Sequence, residues 1–176
     1  PEAQLDRFLF KLLIPYPSED EEARIVSRFG ENRGLPSPAE LGIAAVTSEQ
    51  SLNAATQAVR GVTLSDAVTQ YVVRLVRATR EHSALQLGAS PRSTLALYRT
   101  AQARAALQGR SYVLPDDIQA LLYPVLAHRI ILATYTSLRG KSAADVITEV
   151  TAQTPVPVEE SWSVEEPQQS AVREGK

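Results

Sequence analysis

The chain has 176 residues, 44% of them hydrophobic, which is enough to bury a core; it has no cysteine, which excludes disulfides, thiolate metal sites and cysteine nucleophiles. A net charge of −2 with 22% charged residues leaves no basic excess to neutralise a nucleic-acid backbone, so no nucleic-acid partner is expected. No apolar run approaches the roughly 20 residues of a membrane helix and no basic stretch leads into one at the start, so the expectation is no membrane insertion and a cytoplasmic location.

Methionine is absent throughout and the chain opens on Pro1-Glu2-Ala3-Gln4, which is expected of a segment of a longer polypeptide. "FLFKLLIP", residues 8 to 15, is a near-continuous apolar run of strand length ended by Pro15. That strand lacks an obvious mate. The other apolar candidate, "RIILATYTSL" at 129 to 138, follows helix-like sequence directly, and two strands alone are marginal. The sheet to which 8–14 belongs is expected to lie ahead of Pro1.

Helical punctuation follows. Ser18 with Glu21 forms a capping box, the acidic run Glu19 to Glu22 suits a helix N-terminus, and Ile25, Val26 and Phe29 give an apolar face before Gly30 and Gly34. Thr47 with Gln50 is a second box, and Leu52, Ala55 and Val59 recur at helical spacing up to Gly61. Ser65 caps a third helix, in which Val68, Tyr71, Val72, Leu75, Val76 and Thr79 follow the i, i+3, i+4, i+7 rule and Arg74, Arg77 and Arg80 form a solvated face. A fourth helix runs from Pro91 toward Leu107, has an alanine-rich inner side and stops at Gly109. A fifth starts near Pro115 with Asp116 and Asp117 in its first turn, buries Ile118, Leu121, Leu122, Val125 and Leu126, and is expected to kink at Pro124. A sixth spans Ser142 to about Val150. Beyond Thr154 the proline-rich acidic text has little to bury apart from Trp162 and reads as a flexible tail.

Several site chemistries fail on spacing. Gly140-Lys141-Ser142 resembles the end of a phosphate-binding loop, but Tyr135 stands where that loop needs its first glycine; a helix stop at Gly140 followed by a cap at Ser142 explains the triplet. His82 and His128 are 46 residues apart in no ligand spacing, so no metal site is expected. No nucleophile is accompanied by a base.

"GASPRSTLALYR", residues 88 to 99, carries a conflict. Ser90 is an N-cap and Pro91 suits the first helical position, so Arg92 falls at the second, where a cation opposes the helix dipole by some tenths of a kcal/mol. An arriving anion gripped between the guanidinium and free backbone N–H groups would relieve it, although a solvated arginine is the ordinary alternative. Arg7 stands between a short turn and the apolar run, held to reach outward; its ordinary alternative is an ion pair with Asp6 or Glu2.

"PEAQLDRFLFKLLIPYPSEDEEARIV", "GASPRSTLAL" and "GRSYVLPDDIQALLYPVLAHRI", in that order, resemble successive segments of the C-terminal part of a MoxR-type AAA+ ATPase, from Pro1 to about Val158. The resemblance implies a mainly α fold, a helical AAA+ lid bundle preceded by one orphan β-strand of the α/β nucleotide-binding core. It divides the chain into core remnant (1–15), all-helical lid (16–154) and tail (155–176). It makes Arg7 an arginine finger acting catalytically in trans on the γ-phosphate held by a neighbouring subunit. It makes Arg92 the sensor 2 residue, contacting nucleotide in its own subunit. His128-Arg129 matches a pair usual in the family, with no chemical role read for it.

The nucleotide-gripping motifs that precede this region in the family are not in the chain, so ATP and Mg2+ are expected to serve the parent protein while this segment alone is expected to be inactive and to bind none. The parent is expected to be a homo-hexamer coupling ATP hydrolysis to chaperone-like remodelling of partners, with a von Willebrand A-type domain protein among them. Two alternatives remain: a nucleotide-independent helical adaptor domain, against which the unpaired apolar run speaks, and a helix-turn-helix regulator, which would have to read DNA with the arginine row at 74, 77 and 80 alone.

Overall fold

Five of the helix starts follow serine caps. In a computed structural model that describes residues 2–30 and 36–157, the order is α1 (Glu2–Leu5), α2 (Glu19–Phe29), α3 (Glu49–Arg60), α4 (Asp66–Glu81), β1 (Leu85–Leu87), α5 (Pro91–Leu107), α6 (Pro115–Leu126), β2 (Ile131–Leu132), α7 (Thr134–Leu138) and α8 (Ala143–Gln153). The Ser18–Glu21 box closes as expected, with Glu21 accepting from both the Ser18 N–H and hydroxyl at 2.8 Å. The second box does not form as read. Ser48, one residue after Thr47, is extended and its hydroxyl takes the Ser51 N–H at 3.2 Å, so the helix starts one step later and Gln50 falls inside its first turn. Ser65, Ser90 and Ser142 cap α4, α5 and α8. Gly109 and Gly140 hold the left-handed φ values of +73° and +76° that end α5 and α7.

One core joins α4, α5, α6 and α8. All six residues of the α4 stripe are buried, from Val68 to Thr79, against Leu97, Ala101 and Ala105 of α5, Ile118, Leu122, Val125 and Leu126 of α6, and Val146, Ile147 and Val150 of α8. The alanines of α5 permit the close approach of α6. α6 continues two residues past Pro124, and the Ala127 N–H still reaches the Tyr123 carbonyl. Its first turn is tied by Asp117, nearly fully buried, which accepts from Arg110 at 2.7 and 2.8 Å and from the Leu114 N–H at 2.9 Å. Burial pushes the Asp117 carboxyl up, but the Arg110 bond, the Leu114 N–H and the charges of Arg110 and Arg104 outweigh it and hold the group below the usual carboxylate range. Asp117 is therefore more than the dipole-compensating surface acid its position suggests.

Outside this core the picture changes. α2 and α3 bury no residue, and Ile25, Val26 and Leu52 are about half exposed or more. The run read as a strand at 8–14 pairs with no strand among the described residues; Leu12, Leu13 and Ile14 are 75%, 66% and 91% exposed, as befits a strand sequence without its mate. The described residues contain one sheet, at a place the sequence pattern does not mark: β1 and β2 pair antiparallel, Leu85 with Leu132 and Leu87 with Ile131, with an irregularity between them. Only two residues of the apolar stretch 129–138 enter it, and α7 takes the last five. Gly34 and residues 158–176, including Trp162 and nearly all of the expected tail, lie outside the described residues.

Candidate functional site

The short sheet matters because of what it connects. β1 leads into Gly88 and α5, and β2 follows His128-Arg129, so the pairing draws the Arg92 turn and the His-Arg pair to one end of the bundle. The turn itself is clamped onto α4. The Thr79 hydroxyl accepts from the Ala89 N–H at 2.9 Å and Arg80 Nε donates to the Ala89 carbonyl at 2.8 Å. Arg80 stays exposed with the rest of the arginine row and at the same time serves as a tether. Gly88 is required by space: a Cβ there would stand 2.6 Å from the Arg80 Cα and N and from the Thr79 carbonyl oxygen.

α5 begins as its sequence predicts, but its anion-binding capacity is less than expected. Pro91 has no N–H, the Arg92 N–H donates to Ser90 Oγ at 3.2 Å, and the Ser93 N–H donates to the Ser90 carbonyl at 2.9 Å. What remains for an anion is chiefly the Arg92 guanidinium, whose side chain is 60% exposed. An anion is already close by, from within the chain. Asp6 accepts from Ser90 Oγ at 3.1 and 3.2 Å, and its Oδ2 lies 4.0 Å from Arg92 Nη1. The conflict at the second helical position is thus partly offset by the Asp6 carboxylate, which the sequence suggests only as a partner for Arg7.

Arg7 follows Asp6 in the same turn, exposed, with its guanidinium 5.5 Å from the Phe8 ring centroid. Adding one Cα–Cα step, the length of the Asp6 side chain and the 4.0 Å contact puts the Arg7 Cα within about 12 Å of the Arg92 guanidinium. An arginine side chain can close most of that distance. Both candidate arginines therefore belong to one locality.

Arg129 organises this locality, and the sequence carried no sign of how. Its side chain is 2% exposed and pairs with Asp6 Oδ1 at 3.2 Å. It also donates to the carbonyls of Asp6 (Nε 3.3 and Nη2 3.2 Å), Phe8 (2.6 Å), Leu9 (3.2 Å) and Val125. His128 Nε2 bonds to the Phe8 carbonyl at 2.8 Å, so that nitrogen carries the proton, and Nδ1 is buried with no hydrogen-bond partner among the described residues. Burial, together with the charges of Arg129 and Lys11, holds the His128 imidazole below its ordinary range, against the Phe8 bond and Asp6, which pull it up. Lys11 N–H to the Pro124 carbonyl at 2.8 Å completes the seam. A cavity of about 780 Å³ opens beside it, lined by Phe8, Phe10, Leu87, His128 and Ile131 among others. The seam spans more than 110 residues of sequence, which is why no local pattern announces it.

The other sequence candidates resolve as structure. Lys141 bonds Glu149 at 2.6 Å and Ser142 caps α8, so Gly140-Lys141-Ser142 is a helix junction. His82 contacts the same Glu149 at 3.3 Å, 46 residues from His128 in sequence and on a different element. Among the described residues, no group of three or more His, Cys, Asp or Glu could hold a metal ion, and no helix is long and apolar enough to cross a membrane.

The AAA lid domain family matches residues 77–150, from the arginine face of α4 to α8. Three curated relatives align with nearly the whole chain. Uncharacterized protein YeaC of Bacillus subtilis is 38% identical over 92% of this chain and 49% of its own length. Chaperone MoxR1 of Mycobacterium tuberculosis is 34% identical over 88% and 41%, and Protein MoxR of Paracoccus denitrificans 33% identical over 89% and 51%. A crystal structure of an ATPase candidate from Cytophaga hutchinsonii superposes with a TM-score of 0.75 at 29% identity, over 90% of this chain and 49% of that one. The chain spans about half the length of the curated relatives it matches.

Proposed function

Because this chain belongs to the MoxR-type AAA+ ATPases and carries their C-terminal portion, we propose that Arg7 and Arg92 act together on one ATP triphosphate in the complete enzyme. The observation that carries this reading is the Asp6 carboxylate held between Ser90 and Arg92 while Arg7 is the next residue in the chain. If Arg7 is an arginine finger working in trans, the same subunit's Arg92 works on the same neighbouring nucleotide. The family resemblance alone divides them between two.

The chemistry suits the residues. A transferring phosphoryl group spreads negative charge over its oxygens, and its transition state is stabilised mainly by positioned positive charge. Guanidinium forks supply that charge in fixed geometry. Asp6 is shared between Arg92 and the buried Arg129, so Arg92 can turn to a phosphate without leaving the carboxylate unpaired. The described residues offer guanidinium groups to the phosphates of the nucleotide, and the ligands of its Mg2+ are proposed to come from the nucleotide-gripping half of the enzyme.

In this reading residues 16–154 form the lid of a cytoplasmic, homo-hexameric ATPase that remodels partner proteins, one of them with a von Willebrand A-type domain. The name Chaperone MoxR1 of one relative supports the remodelling part. Turnover in the complete ATPase tests the site. Arg7→Ala and Arg92→Ala are each expected to lower kcat by about 10³-fold, the lower range for loss of an arginine finger. Wild-type turnover in either variant would refute that arginine's role.

A further inference from the structure

We propose that Arg129 is the positioning residue for Arg7, a guanidinium that grips the backbone on both sides of the finger and ties it to the lid. The proposal rests on the reading of Arg7 above. Its own support is separate: one buried side chain binds the carbonyls of Asp6, Phe8 and Leu9 and the carboxylate of Asp6, which brackets residue 7 from either side in the chain. The same guanidinium also donates to the Val125 carbonyl near the end of α6, one of the core helices. Five acceptors from two distant segments meet on one planar cation.

The arrangement exceeds what an ordinary segment tether needs. Lys11 N–H to Pro124 and His128 Nε2 to Phe8 already attach residues 8–11 to the α6 end. Arg129 adds fixation specifically at the turn holding Asp6 and Arg7, where the arginine side chain leaves the backbone exposed to solvent. Asp6 in turn binds the α5 N-cap, so a movement of α5 and Arg92 is passed through Asp6 to the turn bearing Arg7. Arg129 thereby fixes the turn that carries Arg7, while the start of α5 with Arg92 is held on its own by Thr79 and Arg80. Lysine cannot replace it: a single ammonium has three donors in no fixed plane, too few to hold five acceptors.

The test is a double-variant cycle in the complete ATPase, reading kcat, KM for ATP and nucleotide Kd for Arg7→Ala, Arg129→Lys and both together. Circular dichroism and thermal unfolding check that each variant folds. Arg129→Lys is expected to lower kcat by about 10²-fold, the scale of a misplacement of about 1 Å at a reacting centre, with nucleotide Kd unchanged. In the Arg7→Ala background the same substitution should cause no further loss, because a residue acting only through Arg7 has nothing left to position. A merely structural role would lower kcat again in that background. An equal second loss, or a folded Arg129→Lys enzyme with wild-type kcat, overturns the proposal. Full activity of Arg7→Ala alone would instead overturn the finger reading on which it rests. If Arg129→Lys fails to fold, Arg129→Gln serves in the same cycle, since its amide keeps part of the hydrogen bonding without the fixed fork of donors, and the same outcomes decide.

Discussion

Removing the Asp6 carboxylate should release the N-terminal turn while leaving the helical core standing. In Asp6→Ala the Arg129 guanidinium, 2% exposed, loses its counterion, and the Ser90 hydroxyl loses its acceptor. Stranding a buried charge of this kind ordinarily costs about 3–5 kcal/mol. Here four backbone carbonyls still accept from Arg129, and the Asp6 side chain is itself 26% exposed, so the cost falls to about 2 kcal/mol. That energy bears on the docking of residues 5–11, because the core residues start at Val62. The Lys11 N–H, bonded to the Pro124 carbonyl, reports the docking directly. Its hydrogen exchange, measured by NMR on the chain, should lose protection by about 30-fold, since about 1.4 kcal/mol is a factor of ten. Amides of α4 and α5 should stay as in the parent chain. Unchanged protection at Lys11, or a uniform loss through the core, would refute the reasoning that Asp6 closes this seam.

Gly88→Ala is expected to displace the 88–90 turn, because its Cβ would meet α4 backbone at 2.6 Å; in the complete ATPase it should weaken turnover while far-ultraviolet circular dichroism is retained. Asp117→Asn should destabilise the bundle by about 3 kcal/mol in urea unfolding through loss of the Arg110 pair. Its parent carboxyl is held low when folded, so the stability it supplies is present above the unfolded value near about 3.9 and is lost as pH falls through the folded value; the variant should lack that acid limb. His128 is also held low. Its contribution is full above the ordinary histidine value near about 6.5 and declines as pH drops through it toward the folded value, so intrinsic-rate-corrected protection at Lys11 should fall from about pH 7.5 to about pH 5.5, less so in His128→Asn.

What was legible in the sequence was the local chemistry. The α4 stripe, the Ser90-Pro91 start of α5, the stops at Gly109 and Gly140 and the cap at Ser142 depend on residues within a turn or two of each other, and the structure repeats them. Thr47 against Ser48 shows the limit even there, since two adjacent hydroxyls offer the same cap and only the backbone decides which is used. The two-stranded sheet and α7 were not legible, because β1 has three residues and β2 two, too short for periodicity to register. The site was half legible. Arg7 and Arg92 stand in recognisable segments, but Asp6 and Arg129 act across more than 80 and 120 residues, and a buried arginine looks like any other until its acceptors are known. Resemblance flagged His128-Arg129 without a role; the hydrogen bonds to residues 6–9 supply one.

The account turns on whether Arg7 and Arg92 of one subunit serve the same nucleotide, and mixed assemblies of the complete ATPase measure it directly. Subunits carrying both Arg7→Ala and Arg92→Ala, but able to bind ATP, are mixed with subunits that have both arginines and cannot bind ATP. The account predicts recovered hydrolysis that peaks at intermediate ratios, because one partner brings the nucleotide and the other brings both arginines. No recovery from this pair, together with recovery when only Arg7 is removed from the ATP-binding partner, would contradict it.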